Sequence, residues 1–297
     1  MIRPIRHRAK TLCTVISLLC LAACAPPAQR QQTQGSPRPV KGVAIVELEA
    51  PKGALVIAGG GKLPDSIRRE AIALAGGPHC NVVIVSQASR STDAGAKNAA
   101  VFAQLGCAHV RVLNLENERT ALELLANADL IWISGGSQNR LMEALPPSLE
   151  AAVRARYTHG GVVGGTSAGA AVMSQQMITG KANLKALRSG TTELAPGLAL
   201  YPGAIVDQHF HRRQRHNRLL SAVLDHPSLL GIGIDEGTAI VVRAGQLRVV
   251  GDSNVLIIDA RQAVVPTVAA AAPLAAENVR IDLLRAGMTM SLAPPSE

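Results

Sequence analysis

The chain has 297 residues, 47% of them apolar, and carries 30 lysines and arginines against 21 aspartates and glutamates. It is long and apolar enough to bury one sizeable core, which excludes a disordered chain. Five aromatic residues are too few to build the stacking platforms of single-stranded nucleic-acid or glycan binding. Four cations lie within the first ten residues, and without them the net charge falls from +9 to +5, so charge does not indicate a nucleic-acid partner either.

The first segment of the chain has the layout of an export signal. Residues 1–10 are basic, residues 11–23 are almost wholly apolar or small, and the run ends in Leu21-Ala22-Ala23-Cys24. This stretch is too short to cross ~30 Å of hydrocarbon as a permanent helix. The residues before Cys24 resemble the bacterial lipobox, in which a signal peptidase cuts before a cysteine that carries lipid.

We therefore predict a signal peptide over 1–23 and, over 24–41, a lipidated Cys24 with a flexible Pro- and Gln-rich tether. The protein would be an exported lipoprotein, periplasmic or at the cell surface, that meets the membrane only through its lipid anchor. The alternative is an ordinary cleaved signal in which Cys24 is incidental.

Residues 42–297 predict a single α/β domain. Apolar runs at 53–61, 81–89, 109–115, 128–136 and 160–169 are typical of buried strands, and segments of helical length separate them at 64–75, 93–105, 118–127 and 138–157. This alternation predicts a mostly parallel sheet with helices on both faces. Beyond Gly231, alternating residues and Gly-containing turns predict a C-terminal antiparallel extension of the same sheet, with a last strand within 278–292.

Two thiols, Cys80 and Cys107, fall in this domain, each just before an apolar run. The starts of neighbouring parallel strands lie close together. A disulfide or two small buried thiols would both fit this pattern.

A G-x-S-x-G motif, Gly165-Thr166-Ser167-Ala168-Gly169, lies between a strand and a run with helical character at 170–177. A nucleophile elbow requires this context, because the serine occupies a sharp strand-to-helix turn that presents its hydroxyl above the sheet. The N–H groups that follow could hold an oxyanion. A Gly-rich phosphate-binding turn would look similar.

A serine hydroxyl needs a base to take its proton, and the best placed histidine is His209. It follows the apolar run 204–206 and the pair Asp207-Gln208, the position of a strand's carboxyl end. His211 and His216 lie among arginines that would repel a cation, so we predict no metal site, and no cofactor.

A cluster of four arginines follows the candidate base directly: Arg212, Arg213, Arg215 and Arg218. Such a run can be an exposed helix face. Beside a reacting group, however, planar guanidinium forks can grip carboxylates bidentately, which favours a polyanionic substrate.

Four stretches together resemble cyanophycinases, serine peptidases of family S51: residues 134–138, residues 164–170, residues 207–210 with the arginines after them, and residues 233–239. The resemblance runs from about Gly53 to the last strand. It implies a fold similar to class I glutamine amidotransferases. It also implies exo-type cleavage of cyanophycin, a poly-aspartate whose side-chain carboxyls carry arginines, to β-aspartyl-arginine dipeptides.

The resemblance assigns roles residue by residue. Ser167 would be the nucleophile and His209 the base, with the N–H groups of Gly136 and Ala168 as the oxyanion hole. The implied substrate site comprises Gln138, Asp207, Gln208, Arg213, Arg215 and Arg218. The expected partner is cyanophycin or a β-aspartyl peptide, and a homodimer is compatible with the sequence.

One departure concerns the acid that orients the imidazole. The family pattern places it about two dozen residues before the histidine, where this chain has Lys185. Glu193 or Glu236 could substitute, or His209 could be held without an acid. Two further hypotheses stay open: a related aspartyl dipeptidase, and a non-catalytic lipoprotein that binds aspartyl peptides on the same scaffold.

Overall fold

The computed structural model describes residues 51–292. The predicted signal peptide, Cys24, the whole tether and the predicted domain start at residue 42 lie outside the described residues, so all of them stay predictions.

Fourteen strands and seven helices form within the described residues. The strands are β1 Ala54–Ala58, β2 Asn81–Val85, β3 His109–Val112, β4 Leu130–Ile133, β5 Val162–Thr166, β6 Gln176–Ala182, β7 Thr192–Pro196, β8 Ala204–Gln208, β9 Leu230–Ile234, β10 Thr238–Arg243, β11 Gln246–Gly251, β12 Asn254–Asp259, β13 Arg280–Arg285 and β14 Thr289–Ser291. The helices are α1 Asp65–Leu74, α2 Ala94–Gln104, α3 Glu118–Ala126, α4 Gln138–Ala144, α5 Pro147–Thr158, α6 Ala168–Ala171 and α7 His216–Asp225.

The main sheet has eight strands in the order β14-β11-β10-β1-β5-β4-β2-β3. From β1 to β3 all neighbours are parallel, whereas β10, β11 and β14 continue the sheet beyond β1 in antiparallel pairs. The central strands β1 and β4 are buried along their whole length. Continuous apolar runs of this kind are typical of parallel strands that are covered on both faces.

Helices cover both faces of this sheet, as predicted. On one face, Ile67 of α1 and Phe102 of α2 pack in one buried cluster with Trp132 of β4. On the other face, Leu125 of α3 and Val153 of α5 belong to a second cluster. Because side chains alternate across a strand, each central strand contributes to both clusters.

The predicted C-terminal antiparallel extension is confirmed for β10, β11 and β14, but the remaining C-terminal strands do not join the main sheet. β8, β9, β12 and β13 form a separate four-stranded sheet, in the order β13-β12-β9-β8, and β6 pairs with β7 in a small hairpin. The predicted last strand is two strands, β13 and β14, which belong to different sheets. Alternating polar and apolar residues indicate a half-buried strand, but they do not indicate which strand it pairs with. The sequence therefore does not separate the two sheets.

Two predicted helices also differ from the structure. The segment 138–157 is broken into α4 and α5 at Pro146-Pro147, since proline cannot donate the helical hydrogen bond. The helical run predicted at 170–177 ends with α6 at Ala171, and β6 begins at Gln176.

Cys80 and Cys107 are buried and free, in the same cluster of the core. Burial, with the neighbouring Cys107, raises the pKa of Cys80 to about 11. Among residues 51–292, no helix is both long and apolar enough to cross a membrane.

Candidate active site

Ser167 lies in the turn that joins β5 to α6, with a φ of 54° and a ψ of −113°. Positive φ is uncommon for a residue with a side chain and is a feature of nucleophile elbows. A Cβ on Gly165 would lie 2.5 Å from the carbonyl oxygen of Gly169, and one on Gly169 would lie 2.2 Å from that of Ile133. Both motif glycines are therefore needed for the turn to pack this tightly.

Three side chains from distant parts of the chain form a hydrogen-bonded series. The Ser167 Oγ lies 2.8 Å from Nε2 of His209, and Nδ1 of His209 lies 2.6 Å from Oε1 of Glu236. His209 follows β8, as the sequence predicted, and Glu236 follows β9, the parallel neighbour of β8. This series has the form of a catalytic triad: a nucleophile, a base and a carboxylate that orients the base.

The glycine loop after β1 makes room for this series. The His209 N–H donates to the carbonyl oxygen of Gly59 at 2.7 Å. A Cβ on Gly60 would lie 2.5 Å from Cε1 of His209, and one on Gly61 would lie 2.7 Å from Oε2 of Glu236. The absence of side chains at Gly60 and Gly61 therefore leaves space for the base and its acid.

The environment of His209 keeps the imidazole neutral. Burial lowers its pKa below the usual 6.5, and the Arg213 and Arg215 charges lower it further, whereas the hydrogen bond that its Nδ1–H donates to Glu236 opposes them. The side chain is 9% exposed. A neutral imidazole held at Nδ1 by a carboxylate presents an unprotonated Nε2 to the serine, which is the state a general base needs.

The two N–H groups assigned to an oxyanion hole are placed for that role. Ala168 is the first residue of α6, directly after Ser167, and Gly136 has a φ of 147° in the turn after β4. A Cβ on the preceding Gly135 would lie 3.9 Å from the Ser167 Oγ, so this turn borders the nucleophile. Within the described residues, neither N–H donates to another group of the protein.

Asp207 and Arg218 do not have the exposure expected of substrate-binding groups. They are 1% and 3% exposed. Two Arg218 nitrogens donate to the two Asp207 carboxylate oxygens, and Arg215 reaches the same carboxylate at 3.3 Å. The two side chains are thus paired with one another and largely withdrawn from solvent, and their direct contact with substrate stays a prediction.

The other predicted substrate groups vary in accessibility. Arg213 is exposed and makes no ion pair with any described residue. Arg215 is half-buried and also donates to the side-chain and backbone oxygens of Gln208, and its burial lowers its pKa to about 10. Gln138, at the start of α4, is largely buried and donates to the carbonyl oxygen of Ile178 at 2.8 Å.

The structure also locates Glu193, the other candidate for the orienting acid, and the two histidines considered as metal ligands. Glu193 lies on β7, where it bonds to Thr179 at 3.1 Å and to Lys181 at 3.3 Å, and does not approach His209. His211 and His216 hydrogen-bond to one another at 3.0 Å. No group of three metal-ligating side chains is found within residues 51–292.

Comparisons with known proteins identify the family of this chain. The model of peptidase family S51 matches residues 55–250. The chain belongs to peptidase family S51. A cyanophycinase from Geminocystis herdmanii is 38% identical over 226 residues, which cover 72% of this chain and 83% of that protein. A cyanophycinase from Nostoc sp. is 34% identical over 254 residues, covering 80% of this chain and 85% of that protein.

The solved structures agree in fold. A peptidase from an acI-B1 actinobacterium superposes with a TM-score of 0.60 at 23% identity, covering 81% of this chain and 97% of that one. The S51 protein described here is thus a serine peptidase with the class I glutamine amidotransferase-like fold that the sequence predicted.

Proposed function

We propose that this S51 peptidase hydrolyses cyanophycin from a chain end and releases β-aspartyl-arginine dipeptides. Two observations support the substrate: the relatives named cyanophycinase are 34–38% identical over most of their length, and arginines adjoin the base. The observation that carries the reaction is the series Ser167, His209 and Glu236, with contacts of 2.8 Å and 2.6 Å.

The reaction begins with attack of the Ser167 Oγ on the carbonyl carbon of a backbone amide of the substrate. His209 takes the hydroxyl proton at Nε2, and the Glu236 carboxylate stabilises the resulting imidazolium through Nδ1–H. The carbonyl oxygen becomes an oxyanion, which the N–H groups of Gly136 and Ala168 stabilise. The amide C–N bond then breaks, and His209 returns the proton to the leaving amine.

The second half of the reaction reverses these roles. A water molecule gives its proton to Nε2 of His209 and attacks the acyl carbon of the ester on Ser167. The ester bond breaks, the Ser167 Oγ recovers the proton, and the second product leaves as a carboxylic acid. Water is the co-reactant of the second half, and the oxidation states do not change in either half.

Recognition of the substrate falls to the groups that remain accessible. Each cyanophycin unit presents carboxylates and guanidinium groups, and Arg213 is the exposed cation beside His209 that can bind a carboxylate. The less exposed part of the proposed substrate site comprises Arg215, Gln208 and Gln138. We assign Asp207 and Arg218 the role of holding Arg215 in place.

Turnover of purified cyanophycin tests the proposal. The wild-type protein should release β-aspartyl-arginine, and Ser167→Ala should lose at least about 10³-fold in kcat while keeping its melting temperature. Hydrolysis of short aspartyl peptides in place of cyanophycin would favour the dipeptidase alternative. Binding without turnover would favour a non-catalytic lipoprotein, whereas the contact of Glu236 with His209 supports catalysis.

We also propose that the protein is exported and anchored by lipid at Cys24. The proposal rests on the basic start, the short apolar run and Leu21-Ala22-Ala23-Cys24. In cells, Cys24→Ser should release the protein from the membrane fraction or block its processing. A cytoplasmic protein that retains Met1 would contradict it.

A homodimer stays a prediction that size measurement in solution can test.

A further inference from the structure

Asp235 connects the two segments that carry the base and its acid. It follows β9 and precedes Glu236 directly. Its Oδ1 accepts the backbone N–H of Arg212 at 3.0 Å, and its Oδ2 accepts the Ser253 hydroxyl at 3.0 Å. Arg212 lies three residues after His209, in the turn that follows β8.

We propose that Asp235 is a positioning residue for the catalytic series, which fixes the distance between His209 and Glu236 without touching either side chain's reacting atoms. The inference rests on the proposed roles of Ser167, His209 and Glu236.

Three backbone N–H groups of the turn that carries His209 donate hydrogen bonds to neighbouring segments. The His209 N–H donates to Gly59 at 2.7 Å, the Phe210 N–H donates to Ile234 at 3.2 Å, and the Arg212 N–H donates to Asp235. The first bond is to the β1 loop and the other two are to the end of β9. Of these three acceptors, the Asp235 carboxylate is the one that belongs to a side chain and can be removed by substitution.

The segment that carries Glu236 is held equally tightly on its other side. The Gly237 N–H donates to Gly60 at 3.0 Å, and the Ser253 N–H donates to the Thr238 hydroxyl at 2.7 Å. A Cβ on Gly59 would lie 2.1 Å from the Asp235 carbonyl oxygen, so the loop after β1 packs against this backbone. With both neighbours fixed, the Asp235 carboxylate joins the Glu236 segment to the His209 turn.

The Asp235 carboxylate is ionised when the enzyme works. Burial raises its pKa, but the hydrogen bonds from Arg212, Glu236 and Ser253 outweigh burial, and the net pKa lies below its usual value. Hydrogen bonds to an ionised acceptor are stronger than those to a neutral one. A small movement of Glu236 matters because hydrogen bonds weaken steeply with poor geometry.

The effect on His209 has a defined direction. Glu236 raises the pKa of His209, whereas burial, Arg213 and Arg215 lower it. If Glu236 moves away from Nδ1, the remaining influences lower the pKa further. The acid limb of a rate profile should therefore move to lower pH while the rate on its plateau falls.

The rate at which a fluorophosphonate labels Ser167, measured against pH on the full chain, tests the inference without using any peptide substrate. Asp235→Ala should lower the plateau rate about 10-fold or more and move the acid limb to lower pH. Asp235→Asn, which keeps a neutral acceptor for Arg212, should lose about 3-fold and move the limb in the same direction. Asp252→Ala is the matched control, since this exposed carboxylate in the neighbouring turn contacts no side chain of the described series.

A wild-type rate and an unchanged pH profile in Asp235→Ala would overturn the inference, even if its melting temperature fell. If Asp235→Ala does not fold, a wild-type rate and profile in Asp235→Asn would overturn it. If the wild-type protein is not labelled, or if Ser167→Ala is labelled equally well, the proposed mechanism fails and this inference fails with it. The two failures are thus distinguishable.

Discussion

The contact between Glu236 and His209 makes a prediction that can be quantified. Glu236→Gln keeps the size of the side chain but removes the charge that faces the imidazolium formed during attack. With charge centres about 4 Å apart and an effective dielectric constant of about 20, the lost attraction is about 4 kcal/mol. That corresponds to a fall in rate of about 10³-fold. Because Glu236 is 33% exposed, solvent screens part of this attraction, and we expect a loss of about 10²–10³-fold.

The matched control is Glu193→Gln. The Glu193 carboxylate bonds to Thr179 and Lys181 and does not contact His209. Steady-state hydrolysis of cyanophycin under saturating substrate separates the two variants. Glu236→Gln should lower kcat with little change in KM, and Glu193→Gln should stay within about 2-fold of wild type. Wild-type turnover in Glu236→Gln, or a larger loss in Glu193→Gln, would refute the assignment of Glu236 as the orienting acid.

Further predictions follow from burial and charge. The acid limb of kcat/KM should have its midpoint below pH 6.5, because the pKa of free-enzyme His209 is lowered and only the neutral imidazole is active; a midpoint above 7 would contradict this. Arg218→Ala removes the closer cationic partner of the buried Asp207 carboxylate, leaves Arg215 at 3.3 Å, and should lower the melting temperature by about 10 °C, whereas Arg213→Ala should raise KM without changing stability. Mass mapping of alkylated thiols at pH 8 should find Cys80 unreactive until the protein unfolds, since burial raises its pKa to about 11.

The parallel half of the fold could be read from the sequence because its signal is local. Each central strand is a continuous apolar run that ends in glycine or a polar residue, and each helix between them is long enough to show its own pattern. The break at Pro146-Pro147 is a local signal too, because proline ends a helix at or before the preceding residue. The division of the C-terminal strands between two sheets is not local, because it depends on which distant strands pair.

The position of the base in the sequence predicts its role, and the same criterion applies to the acid. His209 follows a buried strand, at the carboxyl end where parallel sheets collect their sites. Glu236 satisfies the same criterion, since it comes two residues after the fully buried strand β9. The sequence lacked the information that β8 and β9 are parallel neighbours, which is what brings the two ends together.

The arginine cluster shows why a motif cannot assign roles to all its members. Arg213, Arg215 and Arg218 are close in sequence, but the start of α7 turns them into different surroundings. Arg218 faces the core and binds Asp207, Arg215 lies at the boundary, and Arg213 faces solvent beside the base. A buried carboxylate needs a partner, so one arginine of the cluster is required by Asp207 before any substrate binds. The spacing of the motif therefore encodes the support of the site as well as its contact with substrate.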